Sequence, residues 1–155
     1  MSKTRVLFVC LGNICRSPLA EGLFTHHVTT HGVQDHYEIG SAGTGGWHVG
    51  NPPDPRSIAI AAQHGVDIGM QRAQQVHPKH FTNYNYLIGM DASNVERLHH
   101  LAPAGALAQI RMLLDEQRKD VPDPYYEGPE GFALVYRMVN EGTLALFKQL
   151  EARRL

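Results

Sequence analysis

The sequence predicts an α/β fold: a doubly wound, Rossmann-like or flavodoxin-like parallel sheet of four strands with helices on both faces. The first observation behind this prediction is that short apolar runs alternate with segments of helical periodicity, which is typical of parallel sheets with right-handed crossovers. The second is a strand, a tight glycine-containing turn and a helix start in succession near the N-terminus, as in the first half of a βαβ unit. Because the chain has 155 residues, we expect a single domain over residues 1–155.

The opening strand and helix are predicted from their composition. An apolar, partly β-branched run predicts a strand over residues 4–9 that is buried on both faces. Ser17-Pro18 marks a helix start, because serine caps helices and proline fits the first turn. Apolar residues then recur at helical spacing, and the helix is predicted to end before Gly32. A second strand is predicted over residues 37–39, with residues 40–43 as the loop that follows it.

The rest of the chain continues the alternation of strands and helices. In chain order we predict a loop over 43–55, a helix over 56–64, a strand over 84–90, a helix from 91 to about 101, a strand over 108–114, a loop over 120–131 and a final helix over 132–150. In a parallel sheet the functional site lies beyond the carboxyl ends of the strands. The loops that follow Val9, Ile39, Met90 and Leu114 are therefore predicted to meet at one rim.

Composition narrows the class of protein. The net charge of −1 argues against a general nucleic-acid binder, and no apolar run approaches the length of a membrane span. Two cysteines are too few for a disulfide scaffold or a cysteine-based metal site, so we expect a cytoplasmic protein. The sequence offers no convincing cluster of metal-ligating residues, and we expect no metal or other cofactor. The pairs His26-His27 and His99-His100 are interpreted as solvated helix faces, because no carboxylates accompany them at metal-ligand spacing.

The segment from Cys10 to Ser17 carries the chemistry. It joins the first strand to the first helix, so the loop amides and the positive helix end point at one spot that suits a phosphate dianion. Arg16 adds a bidentate cationic clamp, and the same field favours the thiolate form of Cys10, to which Ser17 can donate a hydrogen bond. The alternative is that Cys10 is a buried small hydrophobic residue after an apolar strand.

The run from Val6 to Pro18 resembles the signature of the low-molecular-weight protein tyrosine phosphatases almost letter for letter. Further matches follow in order along the whole chain, at Gly40–Thr44, Asp54–Arg56, Met90-Asp91 with Asn94, and Asp123–Tyr126. The resemblance implies that residues Leu11, Gly12, Asn13, Ile14, Cys15 and Ser17 form the phosphate-binding loop around the Cys10 nucleophile and Arg16.

The resemblance also implies a reaction. Asp123, in the Asp-Pro loop, is expected to protonate the tyrosine leaving group, since phenolate leaves poorly unless protonated. The implied cycle forms a phosphocysteine on Cys10, which a water activated by Asp123 then hydrolyses. The expected partner is a tyrosine-phosphorylated protein, the expected product is inorganic phosphate, and the expected state of the chain is a monomer.

Five residues bear on specificity and regulation. Trp47, Tyr125 and Tyr126 resemble the aromatic walls of the family's cleft, with ordinary loop packing as the alternative. Ile14 favours tyrosine, because the similar phosphoarginine phosphatases carry Thr at this position. Cys15 is a candidate redox partner that could form a disulfide with Cys10, with a simple packed thiol as the alternative.

The chain departs from the family pattern at Gln71 and Gln74, which stand where members commonly have His and Arg. The resemblance implies that this His supports a hydrogen-bond network around Asn13, Ser17 and Ser41. Because glutamine both donates and accepts, we expect Gln71 to support a modified network rather than to abolish it.

Three other functions share features of this sequence. A phosphoarginine phosphatase has a similar loop. A thiol-dependent arsenate reductase would need further cysteines downstream, and none follows Cys15. A non-catalytic phosphate-binding module would keep Arg16 while losing Cys10 or Asp123, and this chain keeps both.

Overall fold

The computed structural model describes residues 2–154 and contains one four-stranded sheet. Its strands are β1 (Thr4–Cys10), β2 (Tyr37–Gly43), β3 (Tyr86–Gly89) and β4 (Gln109–Met112). They lie in the order β2-β1-β3-β4, and each neighbouring pair is parallel. The predicted α/β fold with a four-stranded parallel sheet is confirmed.

Helices connect the strands and cover both faces of the sheet. They are α1 (Arg16–Thr30), α2 (Pro55–Gln63), α3 (His80–Asn83), α4 (Ala92–Leu101) and α5 (Pro129–Arg154), with a 3₁₀ turn at Gln34–His36. Asp54 caps α2 by accepting from the backbone N–H of Arg56, and the following proline occupies the first helical position. Among residues 2–154, no helix combines the length and the apolar character needed to cross a membrane.

Strand β1 lies between two apolar cores, as its continuous apolar sequence predicts. Val6 and Phe8 belong to the larger core, which α1, α2 and α5 cover. Leu7 and Val9 point the opposite way, into a smaller core that contains Phe81 and residues of α4. The alternation of side chains along a strand thus anchors β1 on both sides and holds its last residue, Cys10, at the carboxyl edge of the sheet.

Strand β2 is longer than predicted. The stretch 40–43, predicted as a loop, continues the strand in register with β1, and Gly43 pairs with Cys10. Glycine at position 43 has a steric reason, since a Cβ atom there would lie 2.8 Å from the carbonyl oxygen of Leu11. The strand therefore brings Ser41 and Gly43 directly against the loop that follows β1.

Other element boundaries also differ from the sequence prediction. Strands β3 and β4 are shorter than predicted, the helix α3 was not predicted, and α5 begins at Pro129 inside the predicted loop over 120–131. The segment before α3 runs along the free edge of β2, where the N–H of Gly43 donates to Gln74 (2.8 Å) and its carbonyl accepts from Val76 (2.8 Å). The edge is thereby paired at its carboxyl end, at Gly43, which the sequence pattern did not indicate.

The interpretation of His26-His27 as a solvated pair is wrong for His27. His26 is exposed, but His27 is buried against α5, and its Nε2 lies 3.0 Å from Thr143 Oγ1. The Thr143 hydroxyl donates to the carbonyl of Val139 (2.8 Å), so its oxygen is left to accept from a neutral His27 Nε2–H. Burial lowers the pKa of His27 to about 4, and the neighbouring His26 and His31 add to the effect.

We predict that His27 makes the fold sensitive to acid. Its pKa is lower in the folded state (about 4) than the ordinary 6.5, so the unfolded chain binds the extra proton between these values. Its contribution is complete above pH 6.5 and decreases as the pH falls toward 4, by up to about 3 kcal/mol. Urea unfolding between pH 4 and 7 measures this slope.

The matched variants are His27→Gln, which keeps a hydrogen-bond donor without the titration, and His99→Gln, at an exposed helical position. We expect His27→Gln to flatten the pH dependence of the unfolding free energy, whereas His99→Gln leaves it unchanged. Equal slopes in the wild type and His27→Gln would contradict the assignment.

Candidate active site

The loop from Leu11 to Cys15 wraps around the sulfur of Cys10. Asn13 adopts a left-handed backbone conformation (φ 58°), which asparagine tolerates better than most residues, and its N–H donates to Cys10 Sγ (3.3 Å). Ser17, in the first turn of α1, places its hydroxyl 3.1 Å from the same sulfur. Cys10 is 3% exposed, so two donors and a helix N-terminus surround a nearly buried thiol.

The direction of the hydrogen bond between Ser17 and Cys10 follows from Asn13. The side-chain Nδ2 of Asn13 donates to Ser17 Oγ (2.7 Å) and to Ser41 Oγ (3.0 Å). Because an amide nitrogen can only donate, Ser17 Oγ accepts there and keeps its own hydrogen for Cys10 Sγ. The Ser17 hydroxyl therefore stabilises negative charge on the sulfur.

The network continues outward through Ser41, whose hydroxyl donates to Glu21 Oε1 (2.7 Å). Burial raises the pKa of Glu21, against the opposing effect of the Ser41 hydrogen bond. Gln74 contributes twice, since its backbone N–H donates to Asn13 Oδ1 (3.0 Å) and its Nε2 donates to the Ser41 carbonyl (2.9 Å). Every polar atom of the Asn13 side chain thus has a partner.

Gln71 lies outside this network, contrary to the sequence expectation. Its Nε2 donates to the carbonyl of Pro18 (3.1 Å), and its Oε1 is buried without a hydrogen-bond partner. The physical reason is that Gln74 already occupies the acceptor of Asn13, while Glu21 takes the hydrogen of Ser41. Gln71 is instead an anchor between its own loop and the first turn of α1.

Arg16 is the buried cation of the site. Its side chain is 3% exposed, and its NH1 donates to Asp91 Oδ2 (2.6 Å) and to the carbonyl of Val121 (3.0 Å). NH2 lies 3.7 Å from Asp123 Oδ2. Burial lowers the pKa of Arg16, but Cys10 and Asp91 raise it by more, so the guanidinium remains charged. One cation is therefore fixed between the thiol loop and the two segments that follow β3 and β4.

A cleft of about 240 Å³ opens at this point. Cys10, Arg16 and Asp123 share it, and Asp123 is half-exposed, with its Oδ1 accepting from the Tyr125 N–H (3.1 Å). The structure thus brings together the three side chains predicted to act in catalysis. The remaining residues that line the cleft are Leu11, Gly12, Ile14, Cys15, Trp47, His48, Tyr125 and Tyr126.

Aromatic side chains form the mouth of the cleft, as predicted. Trp47 is 73% exposed and Tyr126 is 95% exposed, while Tyr125 meets Tyr126 edge to face with 5.0 Å between ring centroids. Arg56 lies over the Tyr125 ring at 5.6 Å, which holds that ring in place. Exposed aromatic rings beside an anion site are suited to an aromatic phosphate ester.

Cys15 is a second buried thiol, at the N-terminal boundary of α1. Burial raises the pKa of Cys15 to about 12, and the charges of Asp54, Cys10 and Asp123 act in the same direction. Cys15 therefore stays protonated, whereas Cys10 has the donors that a thiolate needs. Neither cysteine forms a disulfide. Within residues 2–154, no cluster of His, Cys, Asp and Glu could hold a metal ion.

The fold and this site define an α/β protein with a nearly buried thiol enclosed by the loop between its first strand and its first helix. The sequence model of the low molecular weight phosphotyrosine protein phosphatases matches residues 5–154. Low molecular weight phosphotyrosine protein phosphatase 1 of Drosophila melanogaster is 39% identical over 150 residues, which cover 94% of this chain and 96% of the relative. The chain therefore belongs to the low molecular weight phosphotyrosine protein phosphatase family.

Solved structures agree with this membership. The crystal structure of YfkJ from Bacillus subtilis superposes with a TM-score of 0.92 at 36% identity, covering 100% of this chain and 99% of that one. The crystal structure of a Drosophila arginine phosphatase superposes with a TM-score of 0.87 at 30% identity, covering 94% and 96%. The family's fold thus serves proteins named for two different phosphorylated residues.

Sequence reasoning assigned no role to four residues of the site. Asp91 accepts a hydrogen bond from Arg16, and Glu21 accepts one from Ser41. Gln74 donates to the side-chain oxygen of Asn13, and His48 lines the cleft. Only Asp91 has a usable signal, because it follows the third strand and precedes a helix, where parallel sheets place functional side chains. Gln74 was noted only as a departure from the family pattern, and the contacts of Glu21 and His48 are tertiary ones that no local pattern encodes.

We predict that Asp91→Asn destabilises the fold by about 3 kcal/mol, because it leaves a buried guanidinium without its closest counter-charge. Asp91 also caps α4 by accepting from the Asn94 N–H (2.7 Å), and asparagine retains this capping ability. The substitution therefore isolates the charge. Urea unfolding at neutral pH measures it, with the exposed Asp115→Asn as the control. Equal stability of the two variants would refute a structural role for the ion pair.

Proposed function

We propose that this chain hydrolyses phosphotyrosine in tyrosine-phosphorylated proteins, and small aryl phosphates, through a phosphocysteine intermediate on Cys10. The observation that carries the proposal is the convergence of Cys10, Arg16 and Asp123 on one cleft, with the Ser17 hydroxyl and the Asn13 amide directed at the sulfur. We assign this function to one domain over residues 1–155.

In the first step, the phosphoryl group of the substrate binds against Arg16 and the amides of the loop from Leu11 to Cys15. Cys10 Sγ attacks phosphorus as the bond to the tyrosine oxygen breaks, and Asp123 gives its proton to that oxygen. Most of the rate enhancement comes from positioning and electrostatics, because the loop donors and Arg16 are already in place before substrate arrives.

In the second step, a water molecule replaces tyrosine. Asp123, now ionised, removes a proton from the water as its oxygen bonds to phosphorus. The sulfur–phosphorus bond breaks, inorganic phosphate leaves, and Cys10 returns to the thiolate that Ser17 stabilises. The exposure of the Asp123 side chain (44%) supports this assignment, since both the leaving group and water must reach it.

We also propose that the protein is cytoplasmic and monomeric. A nucleophilic thiol has to remain reduced, and Cys10 and Cys15 are both free. The redox role of Cys15 likewise stays a prediction. Its protonated thiol is a poor nucleophile, so a disulfide with an oxidised Cys10 requires that Cys15 first lose its proton; the Cys15 thiolate then attacks the Cys10 sulfur of the sulfenic acid and displaces hydroxide, which leaves as water.

Phosphoarginine is the second candidate substrate, because a Drosophila arginine phosphatase shares the fold. Ile14 argues against it. The Ile14 side chain is nearly buried, lines the cleft and packs with Cys15, Ala73 and Phe132, so it offers an apolar surface and no hydrogen-bonding group to a guanidinium. An aryl ring can lie against this apolar surface at little cost, whereas a polar guanidinium group would lose hydrogen bonds to water there.

We predict that the purified protein hydrolyses p-nitrophenyl phosphate at an undiminished rate in the presence of a metal chelator. Cys10→Ser should abolish turnover, since the serine hydroxyl is not ionised in this site. Asp123→Asn should lower kcat by about 10²- to 10⁴-fold, the usual contribution of general acid–base catalysis. Asp115→Asn is the matched control. Phosphate binding without turnover in the wild type would overturn the enzyme assignment in favour of a phosphate-binding module.

We also predict that Ile14→Thr raises the ratio of phosphoarginine to phosphotyrosine hydrolysis, by about tenfold, because its hydroxyl adds one hydrogen bond to the polar substrate. The measurement is kcat/KM on both amino acid phosphates, with Ile14→Val as the control for lost volume. The specificity assignment of Ile14 fails if the two variants change the ratio equally.

A further inference from the structure

A second groove, of about 510 Å³, adjoins the catalytic cleft and extends to helix α4. It shares Leu11, Arg16, Trp47 and Asp123 with the cleft, so the two are continuous around the Trp47 side chain. Its farther wall includes Thr44, Gln75, Ser93 and Arg97. Because the groove is continuous with the cleft, it is a surface on which residues that flank a bound tyrosine can lie.

The α4 side of this groove presents Arg97. Ser93 and Arg97 are four residues apart and therefore lie on one face of the helix, and both are exposed. The adjoining face, with Glu96 and His99, lines a different cavity. Among residues 2–154, Arg97 forms no ion pair. It is therefore an exposed cation without an ion-pair partner among the described residues, and it lines the groove.

The other charges in the groove do not neutralise Arg97. The groove contains two carboxylates, those of Asp91 and Asp123, and both lie at Arg16. The Oδ2 atoms of Asp91 and Asp123 are 2.6 and 3.7 Å from the guanidinium nitrogens. Gln75 is occupied in part, since its Nε2 donates to the carbonyl of Thr44 (3.3 Å). The formal charges of the groove balance, but both carboxylates lie at Arg16, so Arg97 is a separate positive charge at the α4 end of the groove, on the same helix face as Ser93.

We propose that this groove, called here the Arg97 groove, binds an acidic side chain that flanks phosphotyrosine in the substrate, and that Arg97 determines this preference. The inference rests on the proposed function. A carboxylate of aspartate or glutamate pairs with the guanidinium, and Ser93 can donate to the same group. Arg97 contacts only the flank, so it does not take part in the phosphoryl transfer.

The test uses phosphotyrosyl peptides that carry Asp, Ala or Lys at one of the three positions on either side of the tyrosine. We expect Asp to raise kcat/KM about two- to fivefold over Ala at one of these positions, the range of an exposed ion pair, and to lose this advantage at high salt. Arg97→Gln should abolish the preference, and Arg97→Glu should transfer it to Lys. Hydrolysis of p-nitrophenyl phosphate, which has no flanks, should stay unchanged in both variants.

Arg137→Glu is the matched control, because it makes the same charge change at an exposed position of α5 outside both grooves. A preference that is absent in the wild type, that survives Arg97→Gln, or that Arg137→Glu removes equally well would overturn the proposal. Binding of non-hydrolysable phosphonate peptides is measured in parallel. If the wild type shows no turnover of any peptide, the proposed function is refuted. The dissociation constants of the phosphonate peptides still decide whether Arg97 selects acidic flanks.

Discussion

The site depends on one buried side chain, that of Asn13, which joins the loop around the thiol to three other parts of the fold. Its two amide hydrogens reach Ser17 in α1 and Ser41 in β2, and its oxygen accepts from Gln74, on the segment that pairs with the edge of β2. Removing any one partner would leave a buried polar atom unsatisfied. The loop therefore cannot shift relative to the sheet, and its donors stay directed at Cys10, as electrostatic preorganisation requires.

The same constraint explains how a cation can be buried beside this loop. Arg16 lost its hydration on folding and is held by Asp91 and the Val121 carbonyl, so the cleft contains a fixed positive charge that has already been desolvated, which suits the dianion of the proposed substrate. Asp123 is the more exposed of the two carboxylates near Arg16, at 44% against 20% for Asp91. Asp91 makes the closer contact with Arg16, at 2.6 Å against 3.7 Å for Asp123, whereas the Asp123 side chain stays accessible from the cleft, as its proposed role in proton transfer requires.

The sequence was sufficient for features that are local in the chain. Strand β1, its loop and α1 are contiguous, so one segment was enough to predict that Cys10, the loop backbone and Arg16 lie together. The stretch that contains Ser41 was mistaken for a loop because its glycines resemble a turn, whereas pairing with β1 keeps it extended to Gly43. His27 was misplaced for a similar reason, since the residue that covers it, Thr143, lies 116 positions away in the chain.

Glutamine at position 71, where family members commonly have histidine, has little effect on the hydrogen bonds to the Cys10 thiol, because the directions of those bonds are set by Asn13. Asn13 donates both ways, so Ser17 must donate to Cys10 on one side, while Ser41 donates to Glu21 on the other. Ionised or protonated, the Glu21 carboxyl still offers a lone pair to Ser41, and the amide of Asn13 cannot reverse its donors. A change at the Glu21 end is therefore not transmitted to the sulfur as a change of donor. Gln71 forms a hydrogen bond with neither serine, so its identity does not change the donors around the Cys10 sulfur. The residues that surround this sulfur are those of the family signature.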